Sequence, residues 1–321
     1  MPHSKHKRHA IAKHRDTLNQ TVSQLRIIAR KVNRNAEILT IPTTIGELRK
    51  SYSPRHRTLS QAELDAAREF QRVPIDPDRP LFIYGQDGGL IAYRVSLNDE
   101  CLLATLTQTI HDLPKRTKLK FRGINRGKYS ARHYCIWCPY AKKPFASREL
   151  RDDGEAGLEF LKENAELWKR LSDILGGIAP NVYKAFLRYP LPGSMERLCG
   201  AWAGCVVNIG NTDPVQTRPH RDVKESKYGY SCIVPAGNYS GGSLICYELG
   251  LLIDLAPGTC FFFPDSLVTH ANERVTGERS SIVAFTQENM FHYWKRKYGY
   301  VNNKEQKKAK KKGSSYASML D

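Results

Sequence analysis

Hydrophobic residues recur at helical spacing in several stretches of the first half of the chain. Residues 98–113 and 155–175 each carry an apolar stripe with a period near 3.6, which predicts amphipathic helices. Ser60 is followed three residues later by Glu63, and this capping box predicts another helix that runs to about Arg72. The first half of the chain is therefore predicted to be rich in helix.

Short alternating segments predict β-structure elsewhere. Residues 80–84 and 90–95 flank an Asp-Gly-Gly turn and predict a hairpin. Towards the C-terminus, short apolar segments separated by turn signals are typical of an antiparallel sandwich or barrel. The predicted fold class is α+β, with helices packed outside a β core. The predicted strands of this core are 186–189, 204–209, 228–234, 243–247, 251–255, 260–263 and 280–285.

The same patterns predict how the chain is organised. One large domain with appended arms fits 321 residues better than two equal domains. Residues 1–36 are predicted to be a basic, mobile N-terminal arm, and residues 37–180 a helical and mixed part. Residues 181–300 are predicted to form the β core, followed by a lysine-rich tail over 301–321.

Composition excludes two classes of protein. Hydrophobic residues make up 40% of the chain, enough for a sizeable core, which excludes wholesale disorder. No apolar run approaches the roughly 18 residues that a membrane helix needs. No secretory signal is recognisable either, so the eight cysteines are expected to remain reduced thiols.

The net charge of +18 is concentrated in three segments. Residues 1–34 and 115–132 each carry a net charge of +8, and residues 304–312 carry +5, so the rest of the chain is close to neutral. Basic segments of this kind attract polyanions such as DNA, RNA and anionic membrane surfaces. The two terminal segments also fit solubilising tails or nuclear-import signals at 5–8 and 307–312, and a nuclear location is expected.

The middle basic segment differs from the terminal ones because aromatic residues are interleaved with its cations. They are Phe121, Tyr129, Tyr134 and Trp137. Aromatic rings together with cations suit nucleic acid, so this segment is predicted to contact it.

A pair of cysteines follows the middle basic segment. Cys135 and Cys138 have the spacing of half a zinc ribbon, but no second pair follows in the sequence. Packing as small apolar side chains is the favoured interpretation.

A histidine and an aspartate two residues apart lie in the β-rich half. On a strand, His220 and Asp222 project from the same face and can meet one metal ion. His270 follows 50 residues after His220, and two histidines with one carboxylate form the facial triad of non-haem Fe(II) oxygenases. The alternative is a surface histidine, a strand-edge aspartate and a core histidine. A kinase catalytic loop is excluded because no glycine-rich phosphate loop or Asp-Phe-Gly accompanies the motif.

An arginine nine residues after the last histidine adds to this set. A guanidinium at Arg279 can bind a dicarboxylate through two hydrogen bonds, although a surface salt bridge is the simpler alternative. The period of two along a strand places Arg279, Ser281, Val283, Phe285 and Gln287 on one face. If Arg279 points into the barrel, the other four side chains do so too.

A series of motifs spans the β-rich half of the chain. They are Val206-Val207-Asn208, Pro219-His220-Arg221-Asp222, Gly241-Gly242-Ser243-Leu244, Leu255-Ala256-Pro257-Gly258, Phe263-Pro264, His270 and Gly277-Glu278-Arg279-Ser280-Ser281-Ile282. Together they resemble the double-stranded β-helix (jelly roll) of Fe(II)/2-oxoglutarate dioxygenases. Within that superfamily they most resemble the TET/JBP nucleic-acid-modifying branch of the fungal type, as does Arg126-Gly127-Lys128-Tyr129. The similarity covers roughly 80–300.

The resemblance implies roles for the residues at the metal end of the site. It implies that His220, Asp222 and His270 hold Fe(II), with O2 as co-substrate. It also implies that Arg279 binds the distal carboxylate of 2-oxoglutarate. The resemblance further implies that Asn208 contacts the metal end of the co-substrate and that the Ser281 hydroxyl bonds to the distal carboxylate.

The resemblance also implies residues that recognise the target base. Glu225 stands where the family reads the base, and a carboxylate can accept from the exocyclic amino group of cytosine. Phe285 stands where the family stacks a ring on the base, with core packing as the alternative. Gln287 replaces a frequent histidine and suits adenine at least as well. Arg218 and Arg221 flank the metal ligands and are candidates for holding phosphates.

The reaction implied is the oxidation of 5-methylcytosine in DNA to 5-hydroxymethylcytosine and further products, after base flipping. Alternatives of the same chemistry are N6-methyladenine in DNA, a methylated RNA base or a protein side chain. A more distant alternative is a non-catalytic DNA-binding module. The expected partner is DNA, with RNA as an alternative and no membrane partner.

Overall fold

The computed structural model describes residues 3–55, 57–117, 124, 126–138, 143–188, 191, 196–210 and 214–298. The predicted lysine-rich tail over 301–321 lies outside the described residues. So do Lys118, Lys120, Phe121 and Arg122 of the middle basic segment.

Helices and strands occur in both halves of the described chain. The helices are α1 (His3–Val32), α2 (Ile45–Lys50), α3 (Gln61–Ala66), α4 (Glu100–Arg116), α5 (Arg148–Asp153), α6 (Glu155–Glu163), α7 (Ala165–Ile178), α8 (Pro180–Leu187) and α9 (Glu288–Tyr298). The strands are β1 (Glu37–Ile41), β2 (Gln71–Val73), β3 (Leu81–Gly85), β4 (Leu90–Ser96), β5 (Ser130–Trp137), β6 (Phe145–Ala146), β7 (Gly204–Ile209), β8 (Ser231–Gly241), β9 (Leu244–Cys246), β10 (Leu251–Ile253), β11 (Thr259–Phe263), β12 (His270–Asn272) and β13 (Val275–Phe285).

Two sheets form the β core of the described chain. The larger sheet has the order β1-β3-β4-β11-β8-β13-β7-β5-β6, and the smaller has the order β12-β9-β10-β2. Side chains from both sheets meet in one apolar cluster, in which Phe261 and Phe263 of β11 pack with Leu251 and Ile253 of β10. The fold is therefore α+β with two facing, mainly antiparallel sheets, as predicted.

The helices cover the outer face of the larger sheet. Ile282 and Ala284 of β13 and Val207 of β7 point outward and pack with Trp168 and Leu171 of α7. The intervening residues of β13 face the other way, between the sheets. The alternation predicted for β13 is confirmed, and it separates a core face from a face that lines a cavity.

Some predicted boundaries are confirmed and others are wrong. The single helix predicted over 155–175 is two helices, α6 and α7, which meet at Asn164. The hairpin of β3 and β4 and the capping box of α3 are confirmed. The helix predicted to reach Arg72 ends at Ala66, and Gln71–Val73 instead forms β2 and pairs with β10. The strand predicted over 186–189 is also wrong, because α8 begins with a proline in its first turn and buries its apolar residues at helical spacing.

Part of the N-terminal segment packs on the core. Leu18, Val22 and Leu25 follow one another at helical spacing on α1 and are buried in the core shared with α7 and α8. Gly177 of α7 lets the helices approach closely, since an added Cβ would lie 2.5 Å from the Cβ of Ala29. The mobility of the arm over 1–36 stays a prediction, while three side chains of α1 complete the core.

Two further findings concern metal and membrane. Among the described residues, the cysteines are free thiols, and neither Cys135 nor Cys138 takes part in a metal-ligand cluster. None of the helices in the described ranges combines the length and apolar character needed to cross a membrane.

Candidate active site

Three predicted ligands converge at one end of the cavity between the sheets. The ligand atoms of His220, Asp222 and His270 all lie within 4.8 Å of one another. Asp222 Oδ2 is 3.9 Å from His220 Nε2 and 3.8 Å from His270 Nε2. His270 is the first residue of β12, whereas His220 lies on a loop and pairs with His270 as an isolated antiparallel bridge.

The backbone fixes which nitrogen of each imidazole faces the metal position. The Nδ1 atom of His220 lies 2.7 Å from the carbonyl oxygen of Arg218, and that of His270 lies 2.9 Å from the carbonyl of Val268. Each carbonyl accepts from an Nδ1–H group, so Nε2 keeps a lone pair for a cation. Burial lowers the pKa of His220 to about 3 and lowers the pKa of His270, so both rings are neutral at pH 7.

A salt bridge that the sequence did not predict holds the third ligand. Arg126 Nη1 lies 2.6 Å from Asp222 Oδ1, while the other carboxylate oxygen faces the histidines. Burial raises the pKa of Asp222, but the positive charge of Arg126 outweighs this and the pKa lies at about 2. The arginine thus keeps the ligand ionised and orients it.

Arg126→Gln is expected to weaken metal binding by roughly 10- to 100-fold, because the ligand carboxylate loses the partner that orients it. Titration of the metal-free protein with Mn2+, followed by calorimetry, measures this directly. Lys128→Gln, an exposed cation two residues away, is the matched control. Equal affinity in Arg126→Gln and the unmutated protein would show that the salt bridge does not position Asp222.

The cavity that contains the triad has a volume of about 480 Å3. This is within the usual range for a pocket that binds a small molecule. Both sheets and the loop before β5 contribute to its walls, and one wall is the inward face of β13. That face comprises Ser281, Val283, Phe285 and Gln287.

A buried arginine bonds to a residue that lines this cavity. Arg279 is 1% exposed, and its Nη1 donates to the carbonyl of Val215, which itself lines the cavity. Its Nε and Nη2 atoms are buried without a hydrogen-bond partner. Buried donors are rarely left unpaired, so two free N–H groups on a cation fit the carboxylate of a bound dicarboxylate.

Two polar residues predicted to contact the co-substrate lie side by side. Asn208 on β7 is directly opposite Ser281 on β13, and its Nδ2 donates to the Ser281 hydroxyl over 3.2 Å. Asn208 and Ser281 both line the cavity. Ser281 lies two residues along β13 from Arg279. The structure therefore brings together the residues predicted for the two ends of 2-oxoglutarate.

The residues predicted to recognise a base lie in the same cavity. Glu225 and Gln287 pair through their backbones as an isolated bridge. The Gln287 Oε1 accepts from the Cys138 backbone N–H over 2.9 Å, while its Nε2 and Glu225 Oε2 are buried without a partner. Burial raises the pKa of Glu225 well above its usual value. Phe285 lies beside them, and its ring centroid is 6.5 Å from that of Trp137.

The two arginines predicted to hold phosphates differ in exposure. Arg218 is exposed, but Arg221 is only 5% exposed. The Nε atom of Arg221 is buried without a hydrogen-bond partner. The phosphate-binding role of both arginines stays a prediction.

Several cations in the described part of the middle basic segment are paired with carboxylates. Arg116 pairs with Glu163, Arg126 with Asp222, and Arg132 with Asp153. Tyr129 and Tyr134 of the same segment are buried. Much of the positive charge that the sequence placed on a binding surface is thus neutralised within the fold.

Sequence reasoning missed several residues that line the cavity. Four polar or aromatic ones among them are Arg126, Tyr129, Trp137 and Asp265. The first three were assigned to the basic segment, and nothing in a linear pattern links that segment to Asp222. Asp265 directly follows the motif Phe263-Pro264, to which the sequence analysis assigned no role. Burial raises the pKa of Asp265 well above its usual value.

Two facing sheets with a His-Asp-His triad between them, and a buried arginine on an adjoining strand, define a 2-oxoglutarate- and Fe(II)-dependent oxygenase. The family model for the TET/JBP oxygenase domain of the 2OGFeDO superfamily matches residues 134–294. Because this match spans half of the chain, the protein belongs to the TET/JBP family of oxygenases. Fe(II) and 2-oxoglutarate are the cofactors that this superfamily and the triad imply.

The chain is similar to solved structures. The structure of NgTET1 in complex with 5mC DNA superimposes with a TM-score of 0.59 at 15% identity, covering 86% of this chain and 91% of that one. A collagen prolyl hydroxylase from Paramecium Bursaria Chlorella virus-1, solved with 2OG, has a TM-score of 0.36 at 12% identity and covers 62% of this chain and 96% of its own. No curated protein matches the chain. The NgTET1 similarity shows that the double-stranded β-helix fold is shared.

Proposed function

We propose that the protein oxidises a methylated base in DNA, with 5-methylcytosine converted to 5-hydroxymethylcytosine and further products. The observation that carries this proposal is the pair of unpartnered polar groups on Glu225 and Gln287, which lie in the same cavity as the metal triad. Family membership supports the chemistry, and the similar NgTET1 structure is a complex with 5mC DNA.

The hydrogen bonds of Gln287 favour a base with an acceptor on its ring edge. Its Oε1 is engaged by the Cys138 N–H, so its Nε2 is left to donate into the cavity. Glu225 offers an oxygen acceptor to an amino group. Cytosine presents an exocyclic amino donor next to the N3 acceptor, which matches both side chains.

N6-methyladenine is the second candidate, because adenine also carries an N6 amino group beside the N1 acceptor. Gln287 is a residue type that pairs well with adenine.

The nuclear location expected from the terminal basic segments is proposed together with DNA as the substrate.

The roles of the chain in this proposal follow from the cavity. His220, Asp222 and His270 would hold Fe(II), and Arg279 would bind the distal carboxylate of 2-oxoglutarate. When bound, the metal and co-substrate supply the oxidising chemistry, with O2 as the oxidant. A base in a duplex cannot reach this depth, so the nucleotide must flip out at a cost of a few kcal/mol. Phe285 can offset part of this cost by stacking on the base.

Oligonucleotides that differ only in one methylated base test the proposal. The protein with Fe(II) and 2-oxoglutarate is incubated with duplexes that contain 5-methylcytosine, N6-methyladenine or no methyl group, and the nucleosides are measured by mass spectrometry. We expect 5-hydroxymethylcytosine from the first duplex and no oxidised base from the unmethylated one. Products from the methyladenine duplex alone would make the proposed substrate wrong and favour the second candidate.

A further inference from the structure

A cluster of cations and tyrosine rings lies beside the loop that follows Asp222. Lys227 Nζ is 5.5 Å from the ring centroid of Tyr52 and 5.4 Å from that of Tyr228. The guanidinium carbon of Arg49 on α2 lies 4.8 Å from the Tyr228 centroid, and Arg49 Nε donates to the Lys227 carbonyl over 3.3 Å. We call Arg49, Tyr52, Lys224, Lys227 and Tyr228 the tyrosine–lysine surface.

This surface is continuous with the cavity. Lys224 lines the cavity and is exposed to solvent, so it marks the mouth. Val223 also lines the cavity, and its carbonyl accepts from the Tyr52 hydroxyl over 2.7 Å. Contacts therefore run without a break from the residue after the metal ligand Asp222 to the rings and cations of the surface.

The positive charge of Lys227 remains available to a ligand. Among the described cations of the middle basic segment, Lys115, Arg116, Arg126 and Arg132 are paired with carboxylates. In contrast, Lys227 contacts the faces of two rings, and no carboxylate of the described residues forms an ion pair with it. A cation over a ring keeps its full charge. The surface was not recognisable from the sequence, because Arg49 and Tyr52 are remote from Lys227 in the chain.

Acidic groups on the elements around this surface are Glu47, Asp222, Glu225 and Glu288, of which Asp222 pairs with Arg126. Burial and the charge of Glu288 raise the pKa of Tyr52, and the Glu288 carboxylate accepts from the Ser226 hydroxyl over 2.9 Å. Glu47 on α2 is held by the capping box with Thr44. Lys50 and Arg55 are exposed nearby in the sequence and add positive charge. The balance of charge favours an anionic partner.

We infer that the tyrosine–lysine surface binds the phosphodiester backbone of DNA next to the nucleotide that enters the cavity. This inference rests on the proposed function, because it takes DNA as the substrate. Cations combined with aromatic side chains suit a nucleic-acid strand, in which phosphates alternate with planar bases. Binding the strand at the cavity mouth keeps the unpaired nucleotide close to the metal after it leaves the duplex.

The test compares two double variants in DNA binding without cofactors. Lys224→Ala/Lys227→Ala removes two cations of the surface, and Lys162→Ala/Lys169→Ala removes two exposed lysines on α6 and α7. Fluorescence anisotropy with an unmethylated duplex is measured across a series of salt concentrations. The first variant is expected to bind more than about ten-fold more weakly at low salt, with a salt slope smaller by about 2. The control is expected to match the unmutated protein.

The outcomes separate this inference from the proposed function. Equal affinity and equal slope in the two double variants would overturn the inference, whatever base the protein oxidises. The same titrations are repeated with single-stranded RNA. The assignment to DNA would be overturned if the unmutated protein preferred this RNA to the duplex and Lys224→Ala/Lys227→Ala lost as much affinity for RNA as for DNA. Because the duplex is unmethylated and no oxidation is measured, a failure to oxidise 5-methylcytosine would leave the binding result intact. Thermal unfolding, together with recovery of binding in Lys224→Arg/Lys227→Arg, excludes a folding defect as the cause.

Discussion

Arg279→Met is expected to abolish measurable binding of 2-oxoglutarate. The guanidinium is 1% exposed and has two buried N–H groups without a partner, so it is positioned to pair with a carboxylate. Removing one partner of a buried, hydrogen-bonded charge pair costs about 2–5 kcal/mol, which corresponds to a loss of roughly 30- to 5,000-fold in affinity. Equilibrium dialysis with labelled 2-oxoglutarate, in the presence of Mn2+ and without oxygen, measures the affinity.

A second arginine close in sequence to Arg279 provides a control. Arg274 lies just before β13 and is exposed, so Arg274→Met removes the same functional group from the surface. This control is expected to bind 2-oxoglutarate normally. Arg279→Lys is expected to restore only part of the affinity, because an ammonium cannot form two parallel hydrogen bonds with a carboxylate. Unchanged affinity in Arg279→Met would place the distal carboxylate elsewhere.

His220→Ala is expected to eliminate the formation of succinate from 2-oxoglutarate. The variant removes one of three metal ligands. We therefore expect its affinity for a divalent cation to fall by more than about 100-fold, which exceeds the loss expected for Arg126→Gln, where the residue only orients a ligand. Binding of duplex DNA is expected to remain, with its dependence on salt, because no surface cation changes. Succinate is measured by mass spectrometry, and DNA binding by anisotropy.

His292→Ala is the matched control for this variant. His292 lies on α9 with its side chain 54% exposed and is remote from the triad in sequence. Normal succinate formation is expected in the control. If His220→Ala produced succinate at the rate of the unmutated protein, the triad could not be the catalytic centre, and the non-catalytic DNA-binding alternative would gain support.

The inward face of β13 was predictable because it depends only on local geometry. Side chains alternate along any strand, so placing Arg279 in the core also placed Ser281 and Phe285 on the cavity side. The convergence of His220 and His270 followed from residue types and from the resemblance of the surrounding motifs. These features need only a short stretch of chain and a known chemistry.

Other features depend on contacts between remote segments. The salt bridge between Arg126 and Asp222 joins two loops 96 residues apart, and a charge count assigns Arg126 to a surface instead. In the same way, the polar and basic composition of α1 conceals the three residues by which it completes the core. The charge and hydropathy of a segment describe its average character, whereas tertiary packing buries only a few of its side chains in the core.

The bridge between His220 and His270 bears on the choice of metal. Each backbone N–H donates to the carbonyl of the other histidine, over 3.0 and 2.9 Å, so the main chain sets the spacing of the imidazoles. Nickel, copper and zinc bind nitrogen ligands more tightly than iron does, so a fixed pair of imidazoles does not by its affinity favour iron. The selection of iron then depends on the geometry and type of all the ligands and on which metal the cell supplies.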